Sequence, residues 1–252
     1  MTISLDLSGR AALVTGGARG VGRGITERLV AAGASVTVCG RNEPAEGSLP
    51  EGVDFVAGDV READDVERIV ATAIERHGRL DLAVNNAGGA PNTDAATASA
   101  RFSERVLALN LTAALQVAQR ANAQMQTQDE GGVIVNIGSM SGLRPSPGTA
   151  IYGAAKAGLL SLTTTLAMEW APKVRVNAVS AGIVRTEQFE DWYGDGAEQV
   201  AATIPLGRVA EPSDVGNAVA FLASPLAAFV SGANLEVHGG GERLAFFDLM
   251  QQ

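Results

Sequence analysis

AALVTGGARGVGRG, residues 11–24, places a short apolar run directly before a glycine-rich segment. The run is bounded by turn-forming residues and predicts a strand, and a helix-length segment follows the glycines. Gly16, Gly20 and Gly22 would let the backbone approach a phosphate, and the N-terminus of the following helix offers unpaired N–H groups and partial positive charge. A plain glycine-rich turn is the alternative, but the flanking strand and helix favour a dinucleotide phosphate loop.

The alternation of strand and helix patterns continues along the chain. Further strands are predicted at residues 35–39, 53–57, 82–85, 133–137, 174–179 and 234–237. Helices are predicted at residues 66–74, 102–125, 151–170 and 215–222, and a loop-like crossover at 41–52. This order predicts an α/β Rossmann fold: a doubly wound, seven-stranded parallel sheet with helices on both faces. Because no repeat or linker divides it, residues 1–252 are expected to form a single NAD(P)-binding domain.

Composition and charge exclude several classes of partner. The formal charge is −9, from 19 basic and 28 acidic residues, which argues against binding to nucleic acid or to anionic membranes. The N-terminal residues lack a signal-peptide pattern, and the apolar stretch 216–237 is interrupted by Pro225. A single cysteine, Cys39, and two histidines leave no ligand set for a structural metal. We therefore expect a cytoplasmic protein that binds no metal.

The end of the second predicted strand indicates which dinucleotide is bound. At this place an acidic residue selects the ribose 2′-hydroxyl of NAD, and an arginine accommodates the 2′-phosphate of NADP. Gly40 stands where the acid would be, and Arg41 follows it. Arg19, inside the glycine-rich loop, could contact the same phosphate. NADP(H) is therefore the preferred cofactor and NAD(H) the second option; the alternative for both arginines is a solvated surface charge.

IYGAAKAG, residues 151–158, places a phenol and an amine four residues apart in a predicted helix. Positions i and i+4 lie on one helix face, so Lys156 is expected beside Tyr152. A phenol has a pKa of about 10, and a neighbouring cation favours the phenolate. The spacing therefore predicts a phenol and an amine side by side, an arrangement that could carry out chemistry if a cleft lies next to it.

Five motifs in order connect these observations. They are TGGARGVG, NNAG at 85–88, NIGSMSG, YGAAK and RVNAVSAG. With them, the chain resembles the short-chain dehydrogenase/reductase family over roughly residues 5–241. PLGRVAEPSDV, residues 205–215, is similar to the branch that contains 3-oxoacyl reductases and many other carbonyl reductases.

The resemblance implies a catalytic set. Tyr152 would be the general acid in reduction and the general base in oxidation, and Lys156 would hold the nicotinamide ribose. Ser139 would bond the substrate oxygen, and Asn110 would bend a helix and support a water chain to the lysine. The expected function is NADP(H)-dependent interconversion of a ketone and a secondary alcohol. A 3-oxoacyl thioester reductase is the first alternative, and a non-catalytic NADP-binding regulator is the alternative of another class.

The same resemblance, together with the glycine loop, implies a set of cofactor contacts distributed along the chain. They are Gly16, Arg19, Gly20, Val21, Gly22, Arg41, Asp59, Val60, Asn86, Ala87, Gly88, Tyr152, Lys156, Gly182, Ile183 and Thr186. Two of them have a structural alternative, since Asn86 could cap a turn and Thr186 a helix.

Two segments and one departure from the family pattern bear on the substrate and on assembly. Residues 187–203, at the family's substrate lid, contain five acidic residues and no basic one, which favours an uncharged ketone or alcohol. Trp192 and Tyr193 are candidate pocket walls.

The apolar extension 242–252 and the family pattern lead us to expect a homotetramer or homodimer. His238 replaces the usual aspartate near the last strand and is expected to be a packing or interface residue.

Overall fold

Seven parallel strands form one sheet in the computed structural model, which describes residues 5–187, 189 and 194–242. The strands are β1 (Ala11–Thr15), β2 (Ser35–Gly40), β3 (Asp54–Ala57), β4 (Leu82–Asn85), β5 (Gly132–Ser139), β6 (Val174–Ala181) and β7 (Asn234–Val237). Their order across the sheet is β3-β2-β1-β4-β5-β6-β7. The predicted fold class is confirmed, and each strand lies within two residues of its predicted bounds.

Helices pack on both faces of the sheet. They are α1 (Gly20–Ala31), α2 (Ala63–His77), α3 (Ala100–Leu107), α4 (Ala113–Thr127), α5 (Ala150–Glu169), α6 (Ala197–Thr203) and α7 (Pro212–Ala223). Short 3-10 helices lie at Met140–Gly142, Gly194–Gly196 and Pro225–Ala227. Between β2 and β3 the chain runs as a loop, as predicted for residues 41–52.

The helix predicted over 102–125 is interrupted by a π-helical turn at Ala108–Thr112 that joins α3 to α4. Asn110 lies at the centre of this turn, and its side-chain amide donates to the carbonyl of Val106 at 2.9 Å. A side chain that bonds a carbonyl of the preceding turn competes with the regular helical ladder. The bend expected at Asn110 is therefore a local widening of the helix.

The core consists of an apolar cluster on each face of the sheet. On one face Ile25 of α1 and Val219 of α7 pack against β1 residues such as Val14. On the other face Ile69 of α2 and Met125 of α4 pack in a cluster that includes Leu13. Neighbouring residues of β1 therefore point to opposite clusters, as the period of a strand buried on both faces requires.

The strand order reverses at β1, which pairs with β2 on one side and with β4 on the other. In open parallel sheets, ligands bind in the crevice outside the carboxyl ends of the strands at this switch point. The glycine-rich segment follows β1 directly, so the fold places it at the mouth of that crevice.

Among the helices within the described residues, none is both long and apolar enough to cross a membrane. The same part of the chain contains no group of three or more histidine, cysteine, aspartate or glutamate side chains placed to hold a metal ion. Cys39 is buried in the sheet as a free thiol.

Candidate active site

The glycine-rich loop folds closely back over the first turn of α1. Gly16 has a positive φ of 64°, and its N–H donates to the carbonyl of Cys39 at 2.8 Å, which ties the loop to β2. A Cβ atom at Gly22 would lie 2.1 Å from the carbonyl oxygen of Gly16. Arg19 is the N-cap of α1, but its side chain makes no capping hydrogen bond. The loop therefore needs glycine at 22 and leaves the helix N-terminus without a cap from its own N-cap residue.

Residues from the end of β4 hold this loop in place. The Asn86 side-chain amide donates to the carbonyls of Thr15 at 2.9 Å and Gly16 at 3.2 Å. The buried Thr15 hydroxyl accepts from the backbone N–H groups of Asn86 and Ala87, each at 3.0 Å. Asn86 therefore supports the loop through its side chain, which agrees with the alternative that it caps a turn. Sequence reasoning missed Thr15, whose only signal was a hydroxyl at the strand end before the glycines.

Arginines and an aspartate lie at the carboxyl ends of β2 and β3. Arg19 and Arg41 are exposed, and among the described residues neither has a carboxylate within salt-bridge distance. Asp59 is held by the guanidinium of Arg61, and this hydrogen bond lowers the pKa of Asp59. The Val60 side chain is 6% exposed and packs in the core, so only its backbone faces this edge. Arg61, which sequence reasoning did not single out, thus orients Asp59.

Lys156 lies deep below the edge of the sheet. Its side chain is 4% exposed, and its amine donates to the carbonyl of Ile137 on β5 at 2.8 Å. The amine nitrogen lies 5.7 Å from the centre of the Tyr152 ring, so the predicted pair shares one face of α5. Burial lowers the pKa of Lys156 to about 8.

The expectation that Lys156 lowers the pKa of Tyr152 below its ordinary value is wrong. Burial raises the pKa of Tyr152 above its ordinary value, and a hydrogen bond with Ser139 acts in the opposite direction with a smaller effect. The lysine amine donates to the backbone carbonyl of Ile137, and its nitrogen lies 5.7 Å from the centre of the phenol ring, so burial of the phenol itself decides the direction of the shift. The site therefore favours the protonated phenol.

The backbone that follows β4 lies between Asn110 and Lys156. The Asn110 side-chain oxygen accepts from the N–H of Gly89 at 2.8 Å, and its amide donates to the Gly89 carbonyl at 3.0 Å. A Cβ atom at Gly88 would lie 2.7 Å from the Asn110 oxygen and 3.2 Å from the Lys156 amine nitrogen. Asn110, Gly88 and Lys156 therefore form one closely packed group, with no room for a side chain at position 88.

The segment after β6 completes this edge. Gly182 donates to the carbonyl of Val237 at 2.9 Å, and the Ile183 carbonyl accepts from the N–H of Ala210 at 3.0 Å. The Thr186 methyl group lies 3.4 Å from where a Cβ atom at Gly20 would be. The segment that contains the predicted contacts Gly182, Ile183 and Thr186 thus runs from β6 to the glycine-rich loop.

His238 packs against Gly182, where a Cβ atom would lie 2.9 Å from the histidine Cα. Its Nδ1 accepts from the N–H of Gly240 at 3.1 Å, so Nε2 carries a proton toward the Glu236 carboxylate at 2.8 Å. These contacts agree with the expectation that His238 is a packing or interface residue, which stays a prediction.

A cavity of about 280 Å³ lies beside Tyr152. Its lining is Ala90, Pro91, Thr93, Ala95, Ala98, Phe102, Ser103, Gly148, Thr149, Ala150, Ile151, Tyr152 and Ala154. None of these side chains carries a formal charge.

The predicted walls Trp192 and Tyr193 lie outside the described residues, as does the extension from residue 243 onward. Glu242 forms an ion pair with Arg144 in the loop after Ser139.

Replacing Lys156 with methionine should stabilise the protein at pH 7. The lysine pKa is about 8 in the folded chain against an ordinary value of 10.5, so the unfolded chain binds more protons between these values. Stability therefore rises as the pH increases through this window, and below it the buried charge costs free energy. We expect Lys156→Met to raise the free energy of unfolding at pH 7 by about 1–3 kcal/mol.

Urea denaturation at pH 7 and at pH 10 measures this effect. Wild type should gain stability from Lys156 over that interval, and Lys156→Met should lack this gain. The other lysine, the half-buried Lys173, provides the control Lys173→Met. A Lys156→Met protein less stable than wild type at pH 7 would mean that the bond to Ile137 outweighs the cost of burying the charge.

Comparisons with known proteins agree over nearly the whole chain. A family model described as enoyl-(acyl carrier protein) reductase matches residues 16–242. An uncharacterized short-chain type dehydrogenase/reductase from Sinorhizobium fredii is 38% identical over 92% of this chain, which spans 43% of that longer protein. A 3-oxoacyl-[acyl-carrier-protein] reductase from Staphylococcus aureus is 35% identical, over 92% of this chain and 97% of the relative.

Among solved structures, a short-chain dehydrogenase/reductase from Brucella melitensis, described as a glucose/ribitol dehydrogenase, is similar to this chain. The TM-score is 0.87 and the identity 31%, over 94% of this chain and 98% of the other. The two chains thus share their fold over nearly the whole length of both.

Proposed function

Because the chain belongs to the short-chain dehydrogenase/reductase family of oxidoreductases, we propose that it interconverts a ketone and a secondary alcohol with NADP(H). One observation carries this proposal: Tyr152, Lys156 and Ser139 meet beside an uncharged cavity at the sheet edge that bears the glycine-rich loop. Asn110 joins them through Gly88. A non-catalytic regulator would have no need to keep these four side chains together.

The residues at the crevice fit a dinucleotide. The glycine-rich loop and the N-terminus of α1 would hold the pyrophosphate, and a side chain at Gly22 would fill that cradle. Arg19 and Arg41 would hold the adenosine 2′-phosphate, and Lys156 the nicotinamide ribose. When bound, the nicotinamide supplies or accepts the hydride.

The chain itself handles the proton at the substrate oxygen. In reduction the Tyr152 hydroxyl donates its proton to the carbonyl oxygen, and in oxidation the phenolate accepts the proton of the alcohol. Burial raises the pKa of Tyr152, so the hydroxyl is protonated at neutral pH, which is the form that reduction requires. Ser139 holds the substrate oxygen beside the phenol, so that the reacting carbon is positioned for transfer.

NADP(H) should be preferred over NAD(H), and Arg41 should account for much of that preference. A guanidinium bonded to a phosphate contributes about 1.5–3 kcal/mol, so Arg41→Ala should raise the KM for NADPH by roughly 10- to 100-fold. The KM for NADH, which lacks the 2′-phosphate, should stay nearly unchanged. Steady-state kinetics with both cofactors measures this, with the exposed Arg101→Ala on α3 as the control. A larger kcat/KM with NAD(H) in wild type would contradict the preference.

The substrate class is supported by the cavity next to Tyr152. Its lining is apolar or uncharged, which suits a neutral ketone or alcohol of small size. The second candidate is a 3-oxoacyl thioester, because one relative at 35% identity is named a 3-oxoacyl-[acyl-carrier-protein] reductase. A panel of ketones, alcohols and acyl thioesters, followed by NADPH oxidation or NADP reduction, decides between them. Faster turnover of thioesters than of neutral ketones would favour the second candidate.

Assembly into a homotetramer or homodimer is supported by exposed apolar side chains near the β7 edge of the sheet. Phe229 is fully exposed, Leu226 is 47% exposed and Leu235 on β7 is 36% exposed. Exposed apolar side chains of this size favour burial against another chain. A cytoplasmic location remains a prediction from the sequence.

A further inference from the structure

Glu187 contacts the N-terminus of α1. Its carboxylate accepts a hydrogen bond from the N–H of Gly20 at 3.1 Å. The other carboxylate oxygen lies 3.5 Å from where a Cβ atom at Gly20 would be. Glu187 follows directly after Thr186, a predicted cofactor contact, and its side chain is exposed to solvent. The segment after β6 therefore places the negative charge of the Glu187 carboxylate against the glycine-rich loop.

The position of this carboxylate coincides with the place where an anion is best accommodated. The first N–H groups of a helix lack intrahelical partners, and the helix dipole favours a negative charge there. The Arg19 side chain gives α1 no capping bond, and α1 has no acidic residue in its first turn. Glu187, 167 residues further along the chain, supplies an acceptor to this helix N-terminus.

A dinucleotide would place its pyrophosphate on the same N–H groups. Two anions cannot share one donor, and each repels the other at short range. We propose, on the basis of the function proposed above, that Glu187 limits cofactor affinity: its carboxylate competes with the pyrophosphate for the Gly20 N–H and must leave when the cofactor binds. Glu187 is thus a determinant of cofactor binding that acts against the ligand.

A purely structural role for Glu187 makes the opposite prediction. If the bond to Gly20 only ordered the loop, its loss would loosen the phosphate site and weaken cofactor binding. If the carboxylate competes, removing its charge strengthens binding. The sign of the change therefore separates the two roles.

The test compares Glu187→Gln with wild type and with Glu198→Gln by isothermal titration calorimetry. The glutamine keeps the length of the side chain and removes its charge, and Glu198 is an exposed acid on α6 that serves as the matched control. We expect Glu187→Gln to bind NADPH roughly 3- to 10-fold more tightly than wild type, and Glu198→Gln to bind as wild type does. The gain should shrink as salt is raised, because the charges are exposed.

Adenosine 2′-phosphate serves as the second ligand, because it carries the 2′-phosphate but no pyrophosphate. Its affinity should be the same for Glu187→Gln and wild type, since the competition concerns the pyrophosphate position alone. Unchanged or weaker NADPH binding by Glu187→Gln would overturn the proposal, and so would an equal gain for both ligands. Failure of wild type to bind either NADPH or NADH would instead contradict the proposed function.

Discussion

Tyr152→Phe should lower kcat by about 10³-fold and leave the Kd for NADPH within about twofold of the wild-type value. The substitution removes the hydroxyl that donates or accepts the substrate proton and keeps the ring that packs beside Lys156. Without this hydroxyl, position 152 can neither give a proton to the substrate oxygen nor take one from it. Turnover measured with the best ketone of the panel, together with calorimetric titration of NADPH, separates chemistry from binding.

The pH dependence gives an independent readout of the same residue. Because burial raises the pKa of Tyr152, wild-type oxidation should accelerate as the pH rises into the alkaline range, where the phenolate becomes populated. The residual rate of Tyr152→Phe should lack this dependence. The chain's other tyrosine, Tyr193, provides the control Tyr193→Phe, which should retain turnover. Substantial activity in Tyr152→Phe would remove Tyr152 from the mechanism.

Gly22→Ala should abolish measurable cofactor binding and destabilise the fold. The new methyl carbon would lie 2.1 Å from the Gly16 carbonyl oxygen and 2.5 Å from the Asn86 amide nitrogen. To avoid this overlap the loop must move away from α1. That movement would break the hydrogen bond from Gly16 to Cys39 and the bond from the Asn86 side chain to Gly16. We expect a loss of about 1–3 kcal/mol in the free energy of unfolding, as for other overpacked sites. Calorimetric titration with NADPH and urea denaturation measure the two effects.

Gly196→Ala is the matched control for this change. Gly196 has a φ of −82°, and no atom of the described residues lies within 4 Å of where its Cβ atom would be, so alanine should be tolerated there. Cofactor binding and stability close to wild type are expected for this variant. If Gly22→Ala bound NADPH normally, the pyrophosphate would not lie in the cradle formed by Gly16 and Gly22.

Much of the fold was predictable because it depends on local patterns. Runs such as 11–14 and 82–85 are apolar and bounded by turn residues, and buried parallel strands require that composition. The glycine spacing after β1 was predictable for the same reason, since the close approach at Gly22 excludes any other side chain. The π-helical turn at 108–112 was not resolved from the sequence, because it depends on how the Asn110 side chain bonds.

The sequence by itself determines which residue types form the candidate site and where they lie along the chain. It also indicates the family, since each strand end carries its own short motif. Electrostatics and contacts between distant segments depend on the folded chain. The burial of Tyr152 reverses the expected shift of its pKa, because burial is a property of the surrounding packing. The contact of Glu187 with Gly20 joins residues 167 positions apart, so no local pattern encodes it.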